Sequence, residues 1–309
     1  GVLLVGLGCE TVDVEQILGR IDTEGRIVRS VVMQDIGPME EILGIAREHL
    51  REIHAFIANL QTVPCDGSAL VVGLECGGSD PFSGITANPA VGLVSDRVVE
   101  LGGTVILSEI PEMIGAEDAL APRIADDQLR ERLFGRINDY VETAHRMGAD
   151  LRGCNPTPGN IAAGLSTIEE KSLGCICKGG HSPIRQFVRY AEAPTSTGLV
   201  LMDTPGNDPE SVTGMAAGGA NIILFTTGVG TPLGNPVAPV IKIASNSRTA
   251  QKMADFIDID AGQAVRDGSI EDVAEQISAL LARVAAGEPS AAERNGCREF
   301  ALNRLAVTF

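Results

Sequence analysis

ALVVGLECGGSDPFSG, residues 69–84, is an apolar segment that passes directly into glycine, serine and acidic residues. Its first six residues have the length and composition of a buried β-strand, and Gly77, Gly78 and Pro81 are typical of the turn that ends one. The same pattern, in which a short apolar run is followed by a polar or glycine-rich loop, recurs along the chain. It predicts strands at residues 2–5, 26–33, 69–74, 104–107, 199–202, 222–225, 240–244 and 257–259.

Helix-length segments separate most of these strands. Residues 39–60, for example, carry apolar residues at helical spacing, which are Ile42, Ile45, Leu50, Ile53 and Ile57. Further helices are predicted at 12–20, 89–101, 126–147, 184–190, 270–286 and 293–302, and another element from 161 to 170 after the loop at 153–160. This alternation predicts an α/β fold with mostly parallel, doubly wound (Rossmann-like) sheets and helices on both faces.

The stretch QTVPCDGSA (61–69) interrupts the alternation and is interpreted as a domain boundary. We therefore expect residues 1–66 to be the remainder of a truncated α/β domain and residues 67–309 to form a C-terminal α/β domain. A strand that opens at the first residue, without an initiator methionine, supports the interpretation of a truncated start.

Composition narrows the class of protein. Among 309 residues, 24 Lys and Arg against 41 Asp and Glu give a net charge of −17, which argues against nucleic acid or an anionic membrane as a partner. The hydrophobic content of 44% is that of a folded domain, and the longest apolar runs are too short to span a membrane. Seven cysteines without a CxxC pair predict reduced thiols and a cytoplasmic protein.

Polar residues cluster where five of the predicted strands end. Because ligands bind at the carboxyl ends of strands in open α/β sheets, these loops are the candidate site. They contain Cys9 and Glu10; Glu75, Cys76, Ser79, Asp80 and Ser83; Glu109 and Glu112; Asp203, Asn207 and Asp208; and Thr226, Thr227 and Thr231. Hydroxyls, carboxylates and free backbone N–H groups together suit a small, polyhydroxylated anionic ligand and a metal ion.

Each of these features also has a purely structural interpretation. Gly77 and Gly78 could form only a tight turn, and Cys9 and Cys76 could be buried fillers. DTPGND (203–208) could be an Asx turn that caps a helix, and Lys171 could pair with a neighbouring glutamate on a solvated helix. Cys175 and Cys177 alternate as they would on a strand. The glycines after residue 227 do not match the dinucleotide fingerprint, and no GK[ST] phosphate loop is present, so no nucleotide is expected.

At these motifs the chain resembles the altronate/galactarate dehydratase family. The matching stretches are VVGLECGGSDPFSGITANPAVG (71–92), SEIPEMIGAE (108–117), NPTPGNIAAGLSTIEEKSLG (155–174), DTPGND (203–208), LFTTGVGTPLG (224–234) and FIDIDAG (256–262). They follow in order through nearly the whole chain, and what matches is the central and carboxyl-terminal part of the family. Where many of its dehydratases read TTGRGTP, this chain has Val229, so a standard aldarate carboxylate would lose an arginine partner there.

The resemblance implies a metal-dependent lyase that removes a β-substituent from a 2-hydroxy acid. Its metal would be divalent, iron(II) first, with manganese or magnesium as alternatives. The resemblance and the position after the strands together assign acid/base or metal-binding roles to Asp80, Glu109 and Glu112. Lys171 and Lys178 would each be a base or a clamp for the substrate carboxylate. The metal ligands would be Cys9, Glu10 and Cys76. Substrate contacts would come from Gly77, Gly78, Ser79, Ser83, Asn155, Asn160, Asp203, Asn207, Asp208, Thr227 and Thr231. On these roles, Asp80→Asn abolishes turnover and leaves the fold intact.

Three functions stay open. Dehydration of a sugar acid to a 2-keto-3-deoxy acid comes first, and the large subunit of sulfolactate sulfo-lyase, which releases sulfite, belongs to the same broad family. A non-catalytic sugar-acid binding module is the third. The expected partners are a small anionic 2-hydroxy acid, further copies of the chain in a homo-oligomer, and an upstream domain or small subunit.

Overall fold

The structure, a computed structural model, describes residues 1–151 and 155–304. They form two compact units, one of Gly1–Pro64 and one that begins at Cys65. The first two residues of the predicted loop at 153–160 lie outside the described part, as does Cys154 among the seven cysteines.

The amino-terminal unit contains two parallel strands, β1 (Val2–Gly6) and β2 (Val28–Val32). Three helices accompany them, α1 (Val14–Leu18), α2 (Met33–Ile36) and α3 (Met39–Ala58). Parallel strands need a crossover connection, and α1 lies within it. The helix predicted at 39–60 and both strands are confirmed.

The carboxyl-terminal unit is built on one sheet of seven parallel strands. The strands are β3 (Val71–Gly77), β4 (Thr104–Leu107), β5 (Ile184–Val188), β6 (Gly198–Met202), β7 (Ile222–Thr227), β8 (Val240–Ala244) and β9 (Ile259–Asp260). Their spatial order is β5-β6-β4-β3-β7-β8-β9, so β4, β6 and β5 lie on one side of β3 and β7, β8 and β9 on the other. The predicted α/β class with a parallel, doubly wound sheet is confirmed.

Side chains alternate between the two faces of this sheet, and each face has its own apolar core. In β4, Val105 and Leu107 belong to one core and Ile106 to the other. Helices cover both faces because strands that are apolar on both sides must be buried on both sides. The helices in this unit are α4 (Ala87–Glu100), α5 (Glu117–Leu120), α6 (Asp127–Arg146), α7 (Pro158–Ala162), α8 (Ile168–Ile176), α9 (Asp208–Ala217), α10 (Ser247–Lys252), α11 (Ile270–Ala285) and α12 (Ala291–Arg294).

The prediction of a helix at 184–190 is wrong, because this segment is the edge strand β5. Its pairing with β6 shifts register between Ile184 and Gln186, so the buried residues are Ile184, Phe187 and Val188. A bulge adds one residue and breaks the two-residue period. The remaining spacing of three and four residues matches a helical pattern, which explains the error.

Three further predictions are corrected near α7, α8 and α12. Cys175 lies in the last turn of α8 and Cys177 in the single 3₁₀ turn that follows it, so their alternation does not mark a strand. The helix predicted at 293–302 ends at Arg294, because Gly296 adopts a left-handed conformation with φ 69° just beyond it. The element predicted at 161–170 is instead the end of α7 and the beginning of α8, separated at Gly164, whose φ is 113°.

In the described part of the chain, no helix is both long enough and apolar enough to cross a bilayer.

Candidate active site

The strand order reverses between β3 and β7, and this switch point is where open α/β sheets bind ligands. The loops after β3 and β7 meet there, since the N–H of Gly228 donates to the carbonyl of Gly78 at 3.0 Å. Asp80, Glu109, Asn207 and Thr227 follow or end four neighbouring strands of the same sheet. The structure therefore brings four of the predicted loops to one edge.

Asp80 is buried in a shell of neutral donors. Its Oδ1 atom accepts hydrogen bonds from the N–H and the hydroxyl of Ser83, at 2.9 and 2.8 Å, and from the hydroxyl of Ser245 at 2.6 Å. Its Oδ2 atom accepts from the amide of Asn246 at 3.0 Å. Gly228 makes this possible, because a Cβ there would lie 2.6 Å from the Asp80 carboxyl carbon.

A completely buried ion pair lies behind the end of β3. Lys178 Nζ is 2.8 Å from Glu109 Oε2, with side-chain exposures of 0% and 1%. The same Glu109 oxygen accepts the N–H of Cys76 at 2.9 Å. Burial alone would lower the pKa of Lys178, but the acidic groups Cys175, Cys76 and Glu109 around it raise that pKa well above its usual value. Glu109 is also one of the few non-glycine residues in a left-handed conformation, with φ 64°, which is strain of the kind found at functional sites.

A second lysine–glutamate pair lies close by. Lys171 Nζ is 2.8 Å from Glu112 Oε1 and 2.8 Å from Asn155 Oδ1. Burial raises the pKa of Glu112, although Lys171 counteracts it. Burial opposes the charge on Lys171, yet Glu112 outweighs it and the pKa of Lys171 is raised. Lys171 therefore holds its proton at neutral pH, which favours a cationic clamp over a base.

Glu75 adds a further buried carboxylate to the cluster. Its Oε2 atom accepts from the hydroxyls of Ser211 at 2.6 Å and Ser108 at 3.1 Å. Its Oε1 atom has no hydrogen-bond partner among the described residues. Burial, and then the charges of Glu109 and Asp208, raise the pKa of Glu75 well above its usual value. Burial and the same Glu109 raise the pKa of Asp208 to about 7.

Two sets of side chains in the described residues could hold a metal ion, with ligand atoms within 4.8 Å of one another. One is Glu75, Glu109 and Asp208, and the other is Cys76, Glu109 and Cys175. The carboxylate set fits a divalent cation better, because its mutual repulsion and the unpartnered oxygen of Glu75 are what a bound cation would relieve. The thiols fit less well, because the thiolate is the form that binds a metal and the hydrogen bond to Cys175, followed by burial, raises the pKa of the Cys76 thiol.

A cavity of about 270 Å³ adjoins the second pair through Lys171. Five predicted residues line it, namely Cys76, Ser79, Asp80, Ser83 and Lys171. Its wall also includes Asn88, Glu170, Cys175 and Cys177, none of which sequence reasoning placed in the site. These four lie on helices or in the turn after α8, outside the loops that follow strands.

The other predicted substrate contacts are mostly engaged within the protein. Asp203 binds Arg136 at 2.8 Å and Tyr140 at 3.0 Å, both on α6. The amide of Asn160 donates to the carbonyl of Ser79 at 2.9 Å, which holds the loop after β3. The remaining ones have backbone roles: Thr227 and Thr231 accept loop N–H groups, Asn207 precedes α9, and a Cβ at Gly77 or Gly78 would collide with Asp208 or Val229.

Cys9 and Glu10 lie in the amino-terminal unit. The carboxylate of Glu10 accepts the N–H groups of Leu7, Gly8 and Cys9 at 3.0, 2.6 and 2.9 Å, and these hydrogen bonds lower its pKa. The role of Cys9 and Glu10 as metal ligands stays a prediction.

Ser245 and Asn246 are site residues that were missed although the sequence carried a signal for them. They follow β8 directly, so the rule applied to the other strand ends would have found them. Glu75 was among the candidate residues after the predicted strand but was given no role; the structure places it within β3, with its side chain in the buried acidic cluster.

The sequence was also compared with known proteins. The family model described as D-galactarate/altronate dehydratase, C-terminal, matches residues 67–308. The chain belongs to this dehydratase family. Similar proteins include altronate dehydratase of Escherichia coli K12, with 40% identity over 99% of this chain, and its galactarate dehydratase (L-threo-forming), with 39% over 93%. The (2R)-sulfolactate sulfo-lyase subunit beta of Chromohalobacter salexigens is 37% identical over 98% of the chain.

The chain of this dehydratase-family member spans only part of these relatives. It covers 61% of the altronate dehydratase and 56% of the galactarate dehydratase, but 81% of the sulfo-lyase subunit.

Proposed function

We propose that the chain is the carboxyl-terminal part of a lyase that removes a β-substituent from a 2-hydroxy acid. Dehydration of a sugar acid of the altronate or galactarate type to a 2-keto-3-deoxy acid is the reaction we favour. The observation that carries this proposal is Lys171 in the wall of the 270 Å³ cavity, where it is paired with the buried Glu112. Glu109 of the Lys178–Glu109 pair accepts the N–H of Cys76, which also lines the cavity. The names of the relatives supply the reaction class.

The chemical difficulty is the proton α to a carboxylate, because its removal places a second negative charge on the substrate. Lys171 lines the cavity as an ammonium group, and its raised pKa keeps it charged while that charge develops. Glu112 and Asn155 hold its Nζ in place through two hydrogen bonds, so the cation needs little reorganisation during the reaction.

Proton transfer falls to the same pair. Glu112 Oε2 is buried without a hydrogen-bond partner in the described part, and its pKa is raised toward the range of a useful base. We propose that Glu112 removes the α-proton of the substrate. Lys171 Nζ donates a proton to departing hydroxide. A departing sulfite needs no such donor.

A divalent cation, iron(II) or alternatively manganese or magnesium, would add positive charge at the substrate carboxylate when bound. Glu75, Glu109 and Asp208 are the residues that would hold it. The sequence-based ligands Cys9, Glu10 and Cys76 are the alternative set.

A sulfo-lyase is the second candidate. It is favoured by coverage, since this chain spans 81% of the sulfolactate sulfo-lyase subunit against 61% or less of the two dehydratases. That relative is named as a subunit, so a partner chain is part of this candidate.

Product analysis separates the candidates. The full-length protein, loaded with iron(II) or manganese(II) under nitrogen, is incubated with altronate, galactarate and (2R)-sulfolactate. A 2-keto-3-deoxy acid supports the dehydratase, and sulfite with a keto acid supports the sulfo-lyase. Substrate that binds but returns unchanged contradicts both and favours a binding module.

A further inference from the structure

A second cavity, of about 440 Å³, also has Asp80 in its lining. Because Asp80 lines both cavities, the two adjoin at the loop after β3. Phe82 and Val229 supply apolar parts of the lining, and Arg248 and Lys252 supply charged parts.

These two cations are one helical turn apart on α10, so both side chains project from the same face. Neither has an ion-pair or hydrogen-bond partner among the residues that the structure describes. Carboxylates outnumber cations in this chain by 41 to 24, yet neither of these two cations is paired with a carboxylate in the described part.

The other polar groups of the second cavity are already engaged. Asn246 donates to Asp80 and to the carbonyl of Gly228, and the Thr249 hydroxyl donates to the same carbonyl. The Asp80 oxygens already accept the hydrogen bonds described above. The free hydrogen-bonding capacity in this lining is therefore cationic, and it matches an anion.

We propose that the second cavity binds the distal acid group of a diacid substrate, with Arg248 and Lys252 as its cationic partners. This inference rests on the proposed function and narrows it to sugar diacids. The reacting end of the substrate lies at Lys171, and the chain of the substrate extends past Asp80 into the second cavity. Because Val229 offers no charge there, recognition of the acid group depends on α10.

The guanidinium of Arg248 can form two parallel hydrogen bonds with a carboxylate, whereas Lys252 contributes a point charge. Both side chains are exposed, so their effect on binding should weaken as salt rises. A monoacid of the same chain length ends in a hydroxyl group and gains nothing from these charges.

The test compares galactarate, a diacid, with altronate, a monoacid of equal chain length, on the full-length metal-loaded protein. Calorimetry gives the Kd of each acid, and product assays give KM and kcat. Arg248→Gln combined with Lys252→Gln should weaken galactarate binding by about tenfold or more and leave altronate within about twofold. The matched control is Arg298→Gln, which changes an exposed arginine outside both cavity linings. The variant Arg248→Lys keeps a positive charge and should bind galactarate more tightly than Arg248→Gln.

The outcomes separate this inference from the proposed function. If the double variant keeps its KM for galactarate while turnover continues, the inference is wrong and the lyase stands. If galactarate binds and depends on the two cations but no product forms, the binding site stands and the lyase is wrong. Equal weakening of both acids, or no binding of galactarate to the wild type, overturns the inference.

Discussion

Two buried acidic regions follow the adjacent strands β3 and β4. One is Asp80, and the other is the cluster that contains Glu109 and Glu112. The carboxylates of the two regions are stabilised in different ways. Asp80 is surrounded by serine and asparagine donors that belong to the scaffold. Glu109 and Glu112 are each paired with a lysine, and buried oxygens of Glu75 and Glu112 lack a partner in the described chain. The first region is complete without a ligand, whereas the second holds charges that a substrate or cation could rebalance.

This difference teaches that burial of a carboxylate does not by itself indicate chemistry. A carboxylate whose lone pairs are filled by neutral donors is a structural element that holds loops together. A carboxylate that is paired with a lysine through one oxygen, while its other oxygen has no partner, is incompletely stabilised. Binding of a substrate or a cation can then lower its electrostatic free energy. Four substitutions or conditions test this division.

Lys178→Met should have the largest effect. It leaves Glu109 buried without its cation, and we expect the free energy of unfolding to fall by about 3–5 kcal/mol. Urea denaturation followed by circular dichroism measures this loss. The double variant Lys178→Met, Glu109→Gln should recover much of it, and a double variant as unstable as the single one would show that the pair is not the cause.

Lys171→Met should mainly affect turnover. Loss of one preorganised positive donor commonly reduces kcat by about 10²–10³-fold. Because this side chain lies at a cavity wall, the free energy of unfolding should fall less than in Lys178→Met. Lys171→Arg keeps the charge and should retain more activity. Equal activity of the methionine and arginine variants would contradict the role of the charge.

Asp80→Asn should cost stability as well as turnover. The sequence alone predicted an intact fold, but the structure places the Asn246 amide 3.0 Å from Asp80 Oδ2. If the new side-chain NH₂ group takes the place of that oxygen, it faces the NH₂ group of Asn246, and two donors cannot pair. The unpaired buried donor should lower the free energy of unfolding by about 1–3 kcal/mol. Ser83→Ala removes a neutral donor from the same shell and serves as the comparison. A fully stable Asp80→Asn would show that the shell is not the structural element described.

The pH dependence of stability tests the acidic cluster without a substitution. The pKa of Asp208 rises from 3.8 to about 7 on folding, so between these values the folded protein keeps a proton that the unfolded chain has lost. In metal-free protein, the free energy of unfolding should therefore fall as pH rises from about 4 to about 7. The raised pKa values of Glu75 and Glu112 act in the same direction.

Asp208→Asn should reduce this fall, and added manganese(II) should reduce it in the wild type by balancing the ionised carboxylates. The urea midpoint at several pH values, with EDTA or with the metal, measures both. A fall of the same size in Asp208→Asn would show that other groups cause it.

Much of the fold was predictable because the central strands are apolar over their whole length. The runs at 104–107 and 240–244 were predicted at their observed bounds, since strands buried on both faces leave a continuous apolar signal. At the edge this signal fails. In the edge strand β5 a bulge shifts the register, so the local pattern imitates a helix.

The site was predictable only as far as its residues follow strands. Asp80, Glu109 and Glu112 were found in this way, and the family motifs drew attention to Lys171 and Lys178. Cys175 and Arg248 were not found, because they lie on helices whose only link to the site is their packing in space.

The amino-acid sequence by itself determined the α/β class, the family and the set of loops that could meet, because strand periodicity and turn residues are local properties. The tertiary structure alone decided which carboxylate faces a lysine and which faces neutral donors, and which cations share a cavity. Those distinctions depend on distances of a few ångströms between residues far apart along the chain, where burial strengthens each charge interaction.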